Sequence, residues 1–289
     1  MIMSSNTIQN PFQELVFEEW KSIETINAWR KWHSKMIPHL APMTEILVAN
    51  AKIKQGNQVL DLASGSGEPA LTIAQMIAPT GQIIATDLSS GMLAIAEENA
   101  QQAQINNIQF KTADVHELPF ENQSFDTVTC RLGIMYFWDC QKALSEIKRV
   151  LKPNGRLSLI AWGAIEENGL ARTLMTPFAK RKAPPPLPPE APHPFRFAKP
   201  GSLSAELEQA RFNNIEEQTK IVPCPWPGPP EELWHQLYEV ASPLRPFFDS
   251  FAPNEREAAL NEVISKFGDF FDGQVTDPST CIVIATAMP

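Results

Sequence analysis

Apolar residues change their period along the chain, and the changes mark out its elements. From 11 to 54 they recur at three- and four-residue spacings (Leu15, Phe17, Trp20, Ile23, Trp29, Trp32, Met36, Ile46, Val48), which predicts a helical N-terminal segment broken near Pro38 and Pro42. Between 57 and 112 short apolar runs alternate with helix-length segments. That is the pattern of βαβ units and a parallel sheet, with strands expected at 58–63, 82–87 and 108–112. A strand at 125–131, a helix at 139–151 and a strand at 156–162 follow. Asp139 is a natural N-cap for that helix, and Ala143, Leu144, Ile147, Val150 and Leu151 form its apolar stripe. Lys152-Pro153-Asn154-Gly155 then supplies a cation, a breaker and a turn.

Beyond Trp162 the character changes. Residues 177–200 hold nine of the 26 prolines, which predicts a surface excursion without regular helix or central strand. A helix at 203–210 and a strand at 215–222 lead to a second proline cluster (Pro223, Pro225, Pro227, Pro229, Pro230). Amphipathic helices near 231–251 and 254–271 and a closing strand at 280–287 complete the chain. The expected organisation is a helical cap (1–56), an α/β core (57–163), a proline-rich lid insertion (164–202) and a C-terminal part of the same domain (203–289) carrying a helical insertion at 223–278.

With 289 residues, 43% hydrophobic and 20% charged, the chain can bury one large α/β core. A formal net charge of -9 repels phosphate backbones and anionic lipid, which argues against a nucleic-acid partner. No apolar run approaches the roughly 20 residues that span a bilayer, and 1–10 has neither a basic start nor an apolar signal core, so a cytoplasmic protein without a membrane span is expected. Cys130, Cys140, Cys224 and Cys281 form no CxxC pair, and free thiols rather than a metal site or disulfide framework are expected. Oligomeric state is not specified by any of this.

The most informative segment runs from Val59 to Ala70, a buried strand entering a glycine-rich turn and then a helix. Gly65 and Gly67 allow a ligand to approach the backbone. Gly65-x-Gly67-x-x-Ala70, with Asp87 about 20 residues on, also fits the dinucleotide fingerprint, so an NAD-dependent oxidoreductase is one reading. Asp61 weighs against it, because a carboxylate just before the loop repels a pyrophosphate but tolerates a cation. A sulfonium ligand with an amine, S-adenosylmethionine, suits that position; the other reading of Asp61 is a cap on the loop.

Asp61-Leu-Ala63-Ser64-Gly65-Ser-Gly67 resembles the first motif of class I S-adenosylmethionine-dependent methyltransferases, in the branch containing ubiquinone/menaquinone C-methyltransferases. The resemblance continues through 85–93 (ATDLSSGML), 112–120 (TADVHELPF), Phe125-Asp126-Thr127-Val128 and 149–156 (RVLKPNGR), and covers roughly residues 57–163. It implies a Rossmann-like seven-stranded sheet whose last strand lies antiparallel beside the fifth, with 57–163 as the S-adenosylmethionine-binding core. It further implies that Asp87 takes the ribose hydroxyls, that Leu88 and Met92 line the adenine pocket, that Asp114 and the Val115 amide meet the base, and that Arg131 and Leu132 face the methionine portion.

Methyl transfer from a sulfonium needs alignment and exclusion of water more than an enzyme nucleophile. Tyr136 and His33 are the candidate catalytic residues. Trp32, Trp138, His193 and His235 are candidate contacts for a small-molecule methyl acceptor, and the Phe, Trp, Leu and Pro content of the two insertions points to a hydrophobic or aromatic one. A non-catalytic S-adenosylmethionine-binding regulator remains the other reading of the same pocket.

Overall fold

The computed structural model describes residues 11–188, 191–241 and 244–289. The start of the expected cap and the signal-free reading of 1–10 lie outside the described residues. So do two positions of the proline-rich excursion and two of the expected helix 231–251.

The cap consists of α1 (Pro11–Lys21) and α2 (Ile23–Ala51), separated at Ser22, whose hydroxyl accepts from the Thr25 amide and caps α2. The break predicted near Pro38 and Pro42 does not occur; both prolines lie inside α2. Four residues apart, they share one helix face, and Ser34 and Pro38, whose carbonyls lose an N–H partner, are exposed. Water can satisfy those carbonyls. On the opposite side Trp32, Met36, Leu40, Met43 and Leu47 continue the buried stripe without a change of phase.

The α/β core follows the predicted alternation: β1 (Gln58–Leu62), α3 (Ala70–Ile77), β2 (Gln82–Asp87), α4 (Ser90–Gln102), β3 (Ile108–Thr112), β4 (Phe125–Arg131), α5 (Cys140–Val150) and β5 (Leu151–Trp162). Asp139 caps α5 by accepting from the Lys142 amide. β5 begins earlier than residue 156, because Leu151 already pairs with Phe125 before the ladder shifts and resumes at Thr127 and Arg156. The Lys152–Gly155 turn signal is absorbed as an irregularity in the strand.

The C-terminal elements are α6 (Gly169–Ala179), α7 (Ser202–Gln209), β6 (Asn213–Val222), α8 (Pro230–Val240), α9 (Arg245–Asp249), α10 (Pro253–Gly268) and β7 (Thr280–Met288). α6 contradicts the expectation that Pro177 opens a helix-free excursion: Pro177 falls near the end of α6, where it removes a single N–H. The expected helix 231–251 divides into α8 and α9, the latter starting with a proline in its first turn.

The seven strands form one sheet in the order β3-β2-β1-β4-β5-β7-β6. β1 to β5 are parallel, and β7 enters antiparallel between β5 and β6. Both faces are covered. In β5, Ile160 joins the core under α2, α6, α8 and α10, whereas Leu157, Leu159 and Ala161 join the core under α5 and α7. β7 divides in the same way, Ile282 and Ile284 against Val283, Ala285 and Ala287. The carboxyl ends of β1 to β4 therefore open beneath α1 and α2.

Candidate active site

The chain leaves β1 through a turn that is held from below. Asp61 is fully buried, and its two carboxylate oxygens accept 2.6 Å bonds from the Ser64 and Thr129 hydroxyls. Thr86 Oγ1 donates to the Asp61 carbonyl, and the Ser64 amide donates to the Thr86 carbonyl, so the turn is tied to β2 and β4. Ala63 adopts a left-handed φ of 52°. At Gly65 an added Cβ would meet no atom within 4 Å, which leaves open space beside that backbone. At Gly67 (φ +118°) it would stand 2.8 Å from Leu71 Cδ1, so this glycine packs the turn against α3 instead.

Two carboxylates stand at successive strand ends. Asp87 accepts from the Gly65 amide at 2.9 Å through Oδ2 and from the Ser89 amide at 2.8 Å through Oδ1. Burial raises its pKa above the ordinary range, while the backbone amides of Ser89, Gly65 and Leu88 oppose the shift. Asp114, just after β3, is held through Oδ1 by the His116 ring and amide.

These groups line a cavity of about 280 Å³. Ala63, Ser64, Gly65, Asp87, Leu88, Met92, Asp114, Val115, Arg131 and Leu132 all contribute to its wall. Arg131 is fixed by a 2.5 Å bond to Thr44 Oγ1 and a 2.9 Å bond to the Glu68 carbonyl. His33 and Tyr136 also line the cavity. His33 Nδ1 lies 2.9 Å from Ser66 Oγ, and burial together with Arg131 lowers the pKa of its ring, keeping it neutral at pH 7. Burial, reinforced by Glu19, pushes the Tyr136 phenol far upward, so it can donate a hydrogen bond but not act as a base. Trp20 of α1 packs edge-on against Tyr136, and Phe17 against Trp138.

Five expected site residues are placed differently. Asp61 and Gly67 do not line the cavity; they support the turn that does. Trp32 faces the core instead, because its Nε1 donates to Glu239, its ring packs edge-on against Trp226, and Lys31 covers its π-face. Trp29, one turn earlier, lines the cavity in its stead. His235 is exposed on the outer face of α8. His193 is also absent from the wall, its Nδ1 accepting from the Phe195 amide, whereas the neighbouring Pro194 and Phe195 reach it. Trp138 does line the cavity, stacked on His116.

Sequence reading missed much of the upper wall, namely Asn168, Leu170 and Leu174 on α6 and Gln236, Val240 and Leu244 around α8. A signal for α6 existed: Asn168 caps it by accepting from the Ala171 amide, and Leu170, Leu174 and Phe178 recur every fourth residue. Nothing local marks Gln236. All four cysteines are free and buried.

The residues present fit S-adenosylmethionine: an open backbone at Gly65, two carboxylates at strand ends and an arginine in a largely apolar cavity. The strand order with an antiparallel β7, and a cavity at the carboxyl ends of β1 to β4, define the Rossmann-like methyltransferase fold. The sequence profile of the ubiE/COQ5 methyltransferase family matches residues 22–180, more than half of the chain, and the chain belongs to that family. Among similar proteins, the ubiquinone/menaquinone biosynthesis C-methyltransferase UbiE of Pseudoalteromonas translucida is 33% identical over 126 residues, covering 43% of this chain and 50% of that protein. The demethylmenaquinone methyltransferase of Lactobacillus johnsonii is 33% identical over 140 residues, covering 48% and 52%. The chain thus spans about half the length of the curated relatives it matches. Solved structures share the fold. YcgJ of Bacillus subtilis aligns with a TM-score of 0.54 at 19% identity over 85% of this chain and 97% of that one. Haemonchus contortus phosphoethanolamine N-methyltransferase 2, solved with S-adenosyl-L-methionine, aligns at 0.54 and 20% identity over 96% and 60%.

Proposed function

We propose that the chain is an S-adenosylmethionine-dependent methyltransferase acting on a small, apolar methyl acceptor in the cytoplasm. One observation carries this reading: a single cavity joins Asp87 and Asp114, at the ends of β2 and β3, to an apolar chamber walled by α1, α2, α6 and α8. When bound, the cofactor supplies a methyl group already activated by a sulfonium. The protein's part is to bind, align and dry the reactants. Asp87 takes the ribose hydroxyls, Asp114 and the Val115 amide take the adenine, and Leu88 and Met92 flank it. Arg131 offers its guanidinium to a carboxylate, and the Asp61-supported turn brings backbone amides to the same end. Tyr136 and His33 face the chamber, the phenol as a donor and the neutral imidazole as an acceptor for a proton where the acceptor atom must lose one.

The acceptor chamber draws on α6 and α8, and α8 lies beyond the family match at 22–180. The net charge of -9 argues against nucleic acid as acceptor. Incubation with methyl-labelled S-adenosylmethionine and a panel of phenols, quinols, amines and fatty acids tests the reading. Label in one or more apolar acceptors is expected; cofactor binding without transfer to any of them would instead indicate a regulatory binding protein.

A further inference from the structure

Residues 180–188, Lys-Arg-Lys-Ala-Pro-Pro-Pro-Leu-Pro, leave α6 and open the proline-rich excursion. Pro184, Pro185, Pro186 and Pro188 fix their own φ, and Ala183 and Leu187, each followed by a proline, are driven to extended backbone. Residues 183–188 are thus a polyproline II segment by their sequence. The chain is neither helix nor strand there, and all six side chains are exposed, Leu187 to 56%. The rest of the excursion is used differently: Ala191 and Phe197 are buried, and Pro194 and Phe195 line the cavity. Six consecutive apolar side chains kept in water mark a surface for contact rather than a mere connector.

Both ends of the segment are held. The Lys182 amide donates to the Phe178 carbonyl at 3.1 Å, at the end of α6, and the Pro188 carbonyl accepts from the Ala191 amide at 3.0 Å. Between them, the carbonyls of 183–187 accept no hydrogen bond from the described residues and stay open to a partner's donors. A polyproline II helix has three residues per turn, so Pro185 and Pro188 share one edge, Pro184 and Leu187 a second, and Ala183 and Pro186 the third. Two edges can enter a groove while the third faces water. Lys182 stands three residues before Pro185, in line with the first edge. Its ammonium donates to the Ser250 hydroxyl at 3.0 Å and lies 6.0 Å from the Phe251 ring, whereas the neighbouring Arg181 is paired with Glu262. Lys182 has no carboxylate partner among the described residues, which leaves its charge available to one.

We infer that 182–188 is a docking site for a partner protein with an aromatic-walled groove that ends in a carboxylate, the recognition surface of SH3-type domains. Pro184-Pro185 and Leu187-Pro188 fill two successive clefts between aromatic rings, and Lys182 pairs with the carboxylate. The fixed backbone lowers the entropy cost of docking, and a cation ahead of the prolines sets the direction in which the segment lies in the groove. None of 182–188 lines the cavity, so docking and cofactor binding draw on different residues.

The test is calorimetric titration of the full chain with a purified SH3 domain of the class that reads a cation ahead of two prolines spaced three apart. Saturable binding is expected at domain concentrations below about 1 mM. Pro185→Ala, Pro188→Ala and Lys182→Glu are each expected to weaken it by about tenfold or more. Pro186→Ala, on the outward edge, should stay within about threefold of the wild type, and Lys182→Arg should retain binding. Melting temperature and S-adenosylhomocysteine affinity should be the same in all variants, because every substituted side chain is exposed and outside the cavity. No binding by the wild type, equal losses in Pro186→Ala and Pro188→Ala, or no loss in Lys182→Glu, overturns the inference.

Discussion

His116 Nδ1 lies 2.6 Å from Asp114 Oδ1, and the His116 amide donates to the same oxygen at 2.9 Å. On the far side of the ring Nε2 accepts from the Asp139 amide at 3.3 Å, so the proton resides on Nδ1. Trp138 stacks on the ring with centroids 3.4 Å apart. Asp114 is thereby held with Oδ2 unclaimed by these bonds, which is what recognition of an adenine amine requires. His116→Phe keeps an aromatic ring against Trp138 and removes the bond to Asp114. It is expected to weaken S-adenosylhomocysteine binding by about 5- to 30-fold, ~1–2 kcal/mol, in calorimetry. The inosine analogue, which carries no amine, should lose much less; equal losses would mean that His116 acts only on stability.

Asp61 gives the fold a pH dependence. Burial pushes its carboxyl from the ordinary 3.8 up to about 6, against the hydroxyl bonds from Ser64 and Thr129. The folded state thus holds this proton more tightly than the unfolded chain. The stability it contributes is complete below about 3.8 and is lost as pH rises through about 6. Asp61→Asn does not titrate. Relative to it, the wild type should lose on the order of 2–3 kcal/mol between pH 4 and pH 7.5 in denaturant unfolding. Parallel curves for the two proteins would contradict the assignment.

The two glycines of the turn should separate stability from binding. Gly67→Ala forces a Cβ to φ +118° and within 2.8 Å of Leu71 Cδ1, and is expected to destabilise the protein by roughly 1–3 kcal/mol. Gly65→Ala meets no protein atom at φ +53°, a left-handed conformation that costs an alanine roughly 1–2 kcal/mol. Its Cβ instead enters space assigned to the cofactor. S-adenosylhomocysteine affinity should therefore fall more in Gly65→Ala than its melting temperature suggests.

His33 is the candidate base. Its lowered pKa keeps the ring neutral below the ordinary 6.5, so with a phenolic acceptor the acid limb of kcat should fall below pH 6.5. His33→Gln is expected to lower kcat by about 10- to 100-fold and to abolish that limb, with S-adenosylhomocysteine affinity retained. Retention of the limb in the variant would assign it to another group.

The strands and the cavity residues at their carboxyl ends were legible because both depend on local pattern. A buried parallel strand reads as an apolar run, and Asp87 and Asp114 follow such runs directly. Asp61 shows where this stops, since an acid inside a strand can face a ligand or a neighbouring hydroxyl, and only the register of β1 against β4 put Thr129 beside it. Trp29 and Trp32 lie on neighbouring parts of one helix face, and the position of α8, which supplies Glu239, decides which enters the core. Prolines misled twice in the same direction, each time suggesting a break where the helix continues. Pro38 and Pro42 interrupt nothing because they share an outward face, and Pro177 concealed the apolar stripe of α6. The upper cavity wall was the least legible, because α2, α6 and α8 are far apart in sequence and come together only in the tertiary structure.

The central claim is tested most directly by titrating the full chain with S-adenosylhomocysteine, S-adenosylmethionine and NAD while following its melting temperature. The account predicts concentration-dependent stabilisation by the two adenosyl ligands, none by NAD, and loss of the effect in Asp87→Ala. Stabilisation by NAD alone, or wild-type shifts in Asp87→Ala, would contradict it.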